Sequence, residues 1–68
     1  MDLQFTPTDA FRHFLNNYKG EMNSELYEAK YTLEGRRGYS LGPRRIKRLL
    51  DKYAPGKYEF RETVIFHD

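Results

Sequence analysis

Two stretches of the chain carry apolar residues at every third or fourth position. In the first, Phe11, Phe14, Leu15 and Tyr18 fall at i, i+3, i+4 and i+7, one face of an α-helix. Thr6 stands before it, followed by Pro7 and, three residues after the threonine, Asp9. A threonine oxygen can accept from an orphan N–H at a helix start, and proline suits the first helical position. An aspartate there complements the positive end of the helix dipole. Phe5 is placed to staple onto Ala10. The pattern predicts a helix over 7–19, closed by Lys19 and Gly20. The second stretch, Ile46, Leu49, Leu50 and Tyr53, repeats the spacing between Pro43 and the stop Pro55-Gly56. It predicts a helix over 43–54.

Two further stretches alternate. Met1 to Phe5 places Leu3 and Phe5 on one side and reads as a short strand. Lys57 to Phe66 reads as a long strand, with Tyr58, Phe60, Val64 and Phe66 on one face. Residues 24–34 fit both periods. As a helix, Ser24 caps it, Leu26, Ala29 and Leu33 face inward, and Gly35 ends it. As a strand, Tyr27, Ala29, Tyr31 and Leu33 form one face against Glu28, Lys30, Thr32 and Glu34. A long strand at 57–66 needs partners, and a sheet of two strands is marginal. That favours a strand at 25–34, turning through Gly35-Arg36-Arg37-Gly38 and returning through Tyr39–Leu41 as a hairpin. The expected fold is then α+β. It is a small two-layer domain of two amphipathic helices on a short, mostly antiparallel sheet, ordered β-α-β-β-α-β. The helical reading of 24–34 gives the alternative, three helices plus two strands.

Composition limits what such a fold can do. The 68 residues make one domain, and only 38% of them are hydrophobic. Six tyrosines and five phenylalanines must supply much of the core. A chain this short buries only about 60% of its unfolded surface, which leaves little room for a deep substrate cavity. There is no cysteine, so neither a disulfide framework nor a cysteine zinc site is expected. No apolar run has the length of a membrane span or signal-peptide core. A cytosolic protein without membrane contact is the simplest expectation.

Catalytic chemistry has little to work with. His13 and His67 lack a companion at metal-ligand or triad spacing, and Ser24 and Ser40 lack a nucleophile setting. Glu59 and Glu62 stand three apart, on opposite faces of a strand. The glycines at 35, 38 and 42 do not make a phosphate loop. No enzyme activity, cofactor, metal or small-molecule substrate is expected.

Charge adds the one constellation that points outward. Residues 1–34 hold three Lys/Arg against six Asp/Glu, and residues 35–68 hold nine against four, for a net +2. Such asymmetry suggests a polyanionic partner, or attraction between the two halves within the fold. Arg36 and Arg37 sit in the expected hairpin tip. Arg44, Arg45, Lys47, Arg48 and Lys52 surround the apolar stripe of the second helix, with Asp51 as the one interruption. Arg44, Arg48 and Lys52 follow one another a turn apart, without an acid at that spacing. Arginine's planar fork suits phosphates and base edges. A small nucleic-acid-binding module is the leading expectation, with the Arg-Arg tip reaching a groove as a short wing. A protein-interaction inhibitor or adaptor, of the size that phages and mobile elements encode, is the alternative. It would dock on a larger protein through the same basic residues or through the acidic first helix. Tyr27, Tyr31, Tyr39 and Tyr58 are expected to line one sheet face, packed under the helices.

Overall fold

The computed structural model describes residues 2–35 and 41–67. Their order is β1 (Leu3–Phe5), α1 (Pro7–Asn17), α2 (Ser24–Leu33), α3 (Pro43–Tyr53), β2 (Tyr58–Phe60) and β3 (Val64–Phe66). The fold is α+β, with three helices and a three-stranded antiparallel sheet of order β1-β3-β2, on which α1 and α3 pack. The β-α-β-β-α-β arrangement is not what forms. The helical alternative is closer, with one strand more than it supposed.

Both expected helices form where the apolar stripes place them. Thr6 caps α1, its Oγ1 accepting from the Asp9 N–H at 3.2 Å, and Pro7 opens the helix. The helix stops at Asn17, two residues before the expected end, because Tyr18 leaves helical geometry (φ −74°, ψ 122°). α3 opens on Pro43 and ends at Tyr53, and Gly56 takes the left-handed φ of +78° that turns the chain toward β2.

Residues 24–33 are helical, which overturns the strand at 25–34 and the hairpin built on it. The tip residues Arg36 and Arg37 and the return through Tyr39 lie outside the described residues. Two causes decide the helix. Asn23, one residue before the expected cap, accepts from the Leu26 N–H at 2.9 Å through its side chain. The helical period then buries Leu26, Ala29 and Thr32 together, whereas a period of two would have buried only alternate members. Thr32 Oγ1 is satisfied within the helix by the Glu28 carbonyl, at 2.9 Å.

The partner that the last segment needed is itself. Lys57–Phe66 is not one strand but a hairpin, bent at Arg61-Glu62-Thr63, where the Arg61 N–H donates to the Thr63 carbonyl at 2.9 Å. Its register pairs Tyr58 with Phe66 and Phe60 with Val64, while β1 pairs Leu3 with Phe66 and Phe5 with Val64. Because directly paired residues share a face, the expected grouping of Tyr58, Phe60, Val64 and Phe66 survives the fold-back.

The core joins every layer. Phe11 and Phe14 of α1, Leu26 and Ala29 of α2, Ile46, Leu49 and Leu50 of α3, and Tyr58 and Val64 of the sheet are buried in one cluster. Of the tyrosines expected on one sheet face, only Tyr58 is there among the described residues. Tyr27 and Tyr31 stand on the outer side of α2, 46% and 59% exposed.

Candidate nucleic-acid interface

The core fixes which way α3 faces. With Ile46, Leu49 and Leu50 buried, Arg44, Arg45, Lys47, Arg48 and Lys52 are all exposed. α3 also begins in a way that raises local positive potential. Its N-cap is Gly42, which supplies no side-chain acceptor, and its first turn holds no acid. Arg44 and Arg45 stand there instead, at the positive end of the dipole. Cations at that end cost stability rather than add it, by about 0.3–1 kcal/mol each. The first-turn N–H groups lack a capping side chain and are suited to an anion.

The five cations are not equivalent. Lys52 Nζ donates to Glu25 Oε1 of α2 at 2.9 Å, and Arg45 lies 3.9 Å from Glu28 Oε1. No acid stands at the i+4 spacing of the Arg44–Arg48–Lys52 row, but the helical α2 brings the Glu25 carboxylate to Lys52 from another element. Glu25 also accepts from Tyr53 Oη at 2.6 Å. This bond, with that from Lys52, holds the Glu25 carboxyl below its ordinary value, and the Glu25 bond raises Lys52 in return. Among the described residues, Arg44, Lys47 and Arg48 have no ion-pair partner. Attraction between the acidic and basic halves therefore accounts for two of the five.

The hairpin that does form adds no cation to this face. At its tip Arg61 is paired with Glu59, Nη2 to Oε1, at 2.8 Å, and Glu62 is acidic.

His13 is half-buried among aromatics. Its ring centroid lies 4.8 Å from Phe5 and 4.6 Å from Phe66, and its Nδ1 is 2.8 Å from Tyr58 Oη. Burial pushes the Tyr58 hydroxyl up to about 12. Helix periodicity places His13 beside the Phe14 stripe, but nothing local announces a partner 45 residues away. His67 bridges two acids, Glu59 at 3.1 Å and Asp2 at 3.4 Å. Among the described residues no group of three or more His, Asp or Glu could hold a metal ion, and no helix is long and apolar enough to cross a membrane.

Set against known proteins, the chain matches no family model, no curated protein and no solved structure.

Proposed function

We propose that the chain is a non-catalytic module that binds nucleic acid through the outer face of α3. Arg44, Lys47 and Arg48 contact phosphates, and the first-turn N–H groups of the helix assist. The observation that carries the reading is the combination at one helix: three exposed cations without an acid partner among the described residues, over an N-terminus with neither side-chain cap nor acid. Arg45 and Lys52 are held by α2 and contribute less. Arg36 and Arg37 precede the helix in sequence and lie outside the described residues.

Each neutralised phosphate releases condensed counterion, so three contacts give a log–log salt slope of about −3 on duplex DNA. Fluorescence anisotropy with a labelled duplex, across a salt series, measures it. Changing Arg44 and Arg48 together to alanine should remove about two from the slope, with an unchanged circular dichroism spectrum. Absence of binding at low salt, where screening is weakest, overturns the proposal.

A protein partner is the second reading, and one observation favours it. Tyr27 and Tyr31 stand one turn apart on α2, both exposed, and tyrosine is a frequent interface anchor. Recovery of a stoichiometric protein after nuclease treatment, lost on Tyr27→Ala and Tyr31→Ala, would select this reading.

A further inference from the structure

Away from the outer face of α3, an open groove of about 360 Å³ runs between α1, the end of α3 and the sheet. That is within the size range of small-ligand sites, about 300–1,000 Å³. Two aromatic clusters line it. Phe14, Tyr18 and Tyr53 form one, with ring centroids 5.1 Å apart for Phe14 and Tyr18 and 6.2 Å for Tyr18 and Tyr53. His13, Tyr58 and Phe66 form the other, with 4.6 Å between His13 and Phe66 and 5.0 Å between Tyr58 and Phe66. A Cβ on Gly20 would collide with the Tyr18 ring, so the glycine lets that ring fold back over the chain.

The polar character of the lining is one-sided. Lys19 and Lys57 stand in it, and no carboxylate does. The other polar groups are largely engaged. Tyr53 Oη donates to Glu25, Tyr58 Oη pairs with His13 Nδ1, and Asn17 Nδ2 donates to the His13 carbonyl at 2.8 Å. The two ammonium groups make no hydrogen bond or ion pair among the described residues. Lys19 and Lys57 lie beyond the last turns of α1 and α3, and no carboxylate of the lining offsets their charge.

We infer that this groove binds a small aromatic anion. A flat ring lies against the two aromatic clusters, and its phosphate or carboxylate sits on Lys19 and Lys57. A cation is disfavoured by the two lysines, despite the aromatic walls. A neutral ring leaves the lysines unused. The inference does not rest on nucleic-acid binding by α3.

Amide and aromatic-ring NMR titrations test it, with adenosine monophosphate and naphthoate as probes and adenosine and inorganic phosphate as controls. Saturable shifts are expected for at least one probe at His13, Tyr18, Tyr53 and Tyr58, with both controls weaker. Lys19→Gln and Lys57→Gln are each expected to weaken binding about two- to fivefold, the range for an exposed charge pair. Both lysines are exposed, so folding is retained. The Arg44→Ala/Arg48→Ala variant is expected to bind the probe as the parent does. The inference is overturned if neither probe shifts the groove, or if adenosine or phosphate alone binds as tightly as the probe. It also fails if the shifts map to the outer face of α3 and vanish in the arginine variant.

Discussion

Tyr53 Oη donates to Glu25 Oε1 at 2.6 Å while accepting from Asn23 Nδ2 at 2.9 Å. One phenol at the end of α3 thus ties both the cap and the first turn of α2. Tyr53→Phe keeps the ring in its cluster and removes both bonds. The Glu25 carboxyl should then rise toward its ordinary value of 4.5, since the Tyr53 bond is the leading cause of its depression. Carboxyl carbon shifts followed through an acid titration would show it. No movement of Glu25 would mean that Lys52 and Arg45, not Tyr53, set its ionisation.

Leu49 is 2% exposed in the core cluster. Leu49→Ala is expected to cost about 2–5 kcal/mol through lost burial and the cavity left behind. For a chain of this size that is a large fraction of total stability, since ~0.05–0.15 kcal/mol per residue is usual. Urea unfolding of the two proteins measures it, and an unchanged midpoint would remove Leu49 from the core.

The His67 clip makes stability depend on pH in a defined direction. Its bond to Glu59, with the charge of Asp2, raises His67 above 6.5. That contribution is fully present below pH 6.5 and is lost as pH rises through the folded value. Glu59 is lowered from 4.5, first by Arg61 and then by His67, so its share is lost as pH falls through its depressed value. The two shares coexist between pH 4.5 and 6.5. Thermal melts of His67→Asn and the parent should differ most in that window and converge in mild alkali. A constant difference across the range would show that His67 acts through packing alone.

The carboxylates of α2 should restrain any anion binding by α3. Glu25→Gln with Glu28→Gln releases Lys52 and Arg45. If α3 carries the nucleic-acid contacts, the salt slope should steepen by about one to two and low-salt affinity should rise. Unchanged affinity in this double variant would place the ligand elsewhere.

Much of the helical frame was legible because its signals are local. The Thr6 cap, Pro7, Pro43 and two apolar stripes are each contained in a few residues. Residues 24–34 were misread because tyrosine and threonine favour strands and the segment satisfied both periods. What decided it was burial of Leu26, Ala29 and Thr32 against other elements, together with the Asn23 cap. The fold-back within 57–66 was hidden because Tyr58, Phe60, Val64 and Phe66 share a face whether the segment runs straight or doubles back across Arg61–Thr63. At the basic site, exposure of the α3 residues followed from the wheel, but the pairing of Lys52 and Arg45 did not. It required knowing that 24–33 is helical and lies beside α3. The aromatic groove was invisible for a similar reason, since its walls come from residues separated by most of the chain.

The pairing order of the sheet sets a constraint on how the molecule is made. β3 is the sole neighbour of each outer strand, and it is the last described element to leave the ribosome. Leu3 finds its backbone partner in Phe66, at the opposite end of the described residues. Without the β3 pairing, both outer strands lack a backbone partner and the His13 ring loses Phe66.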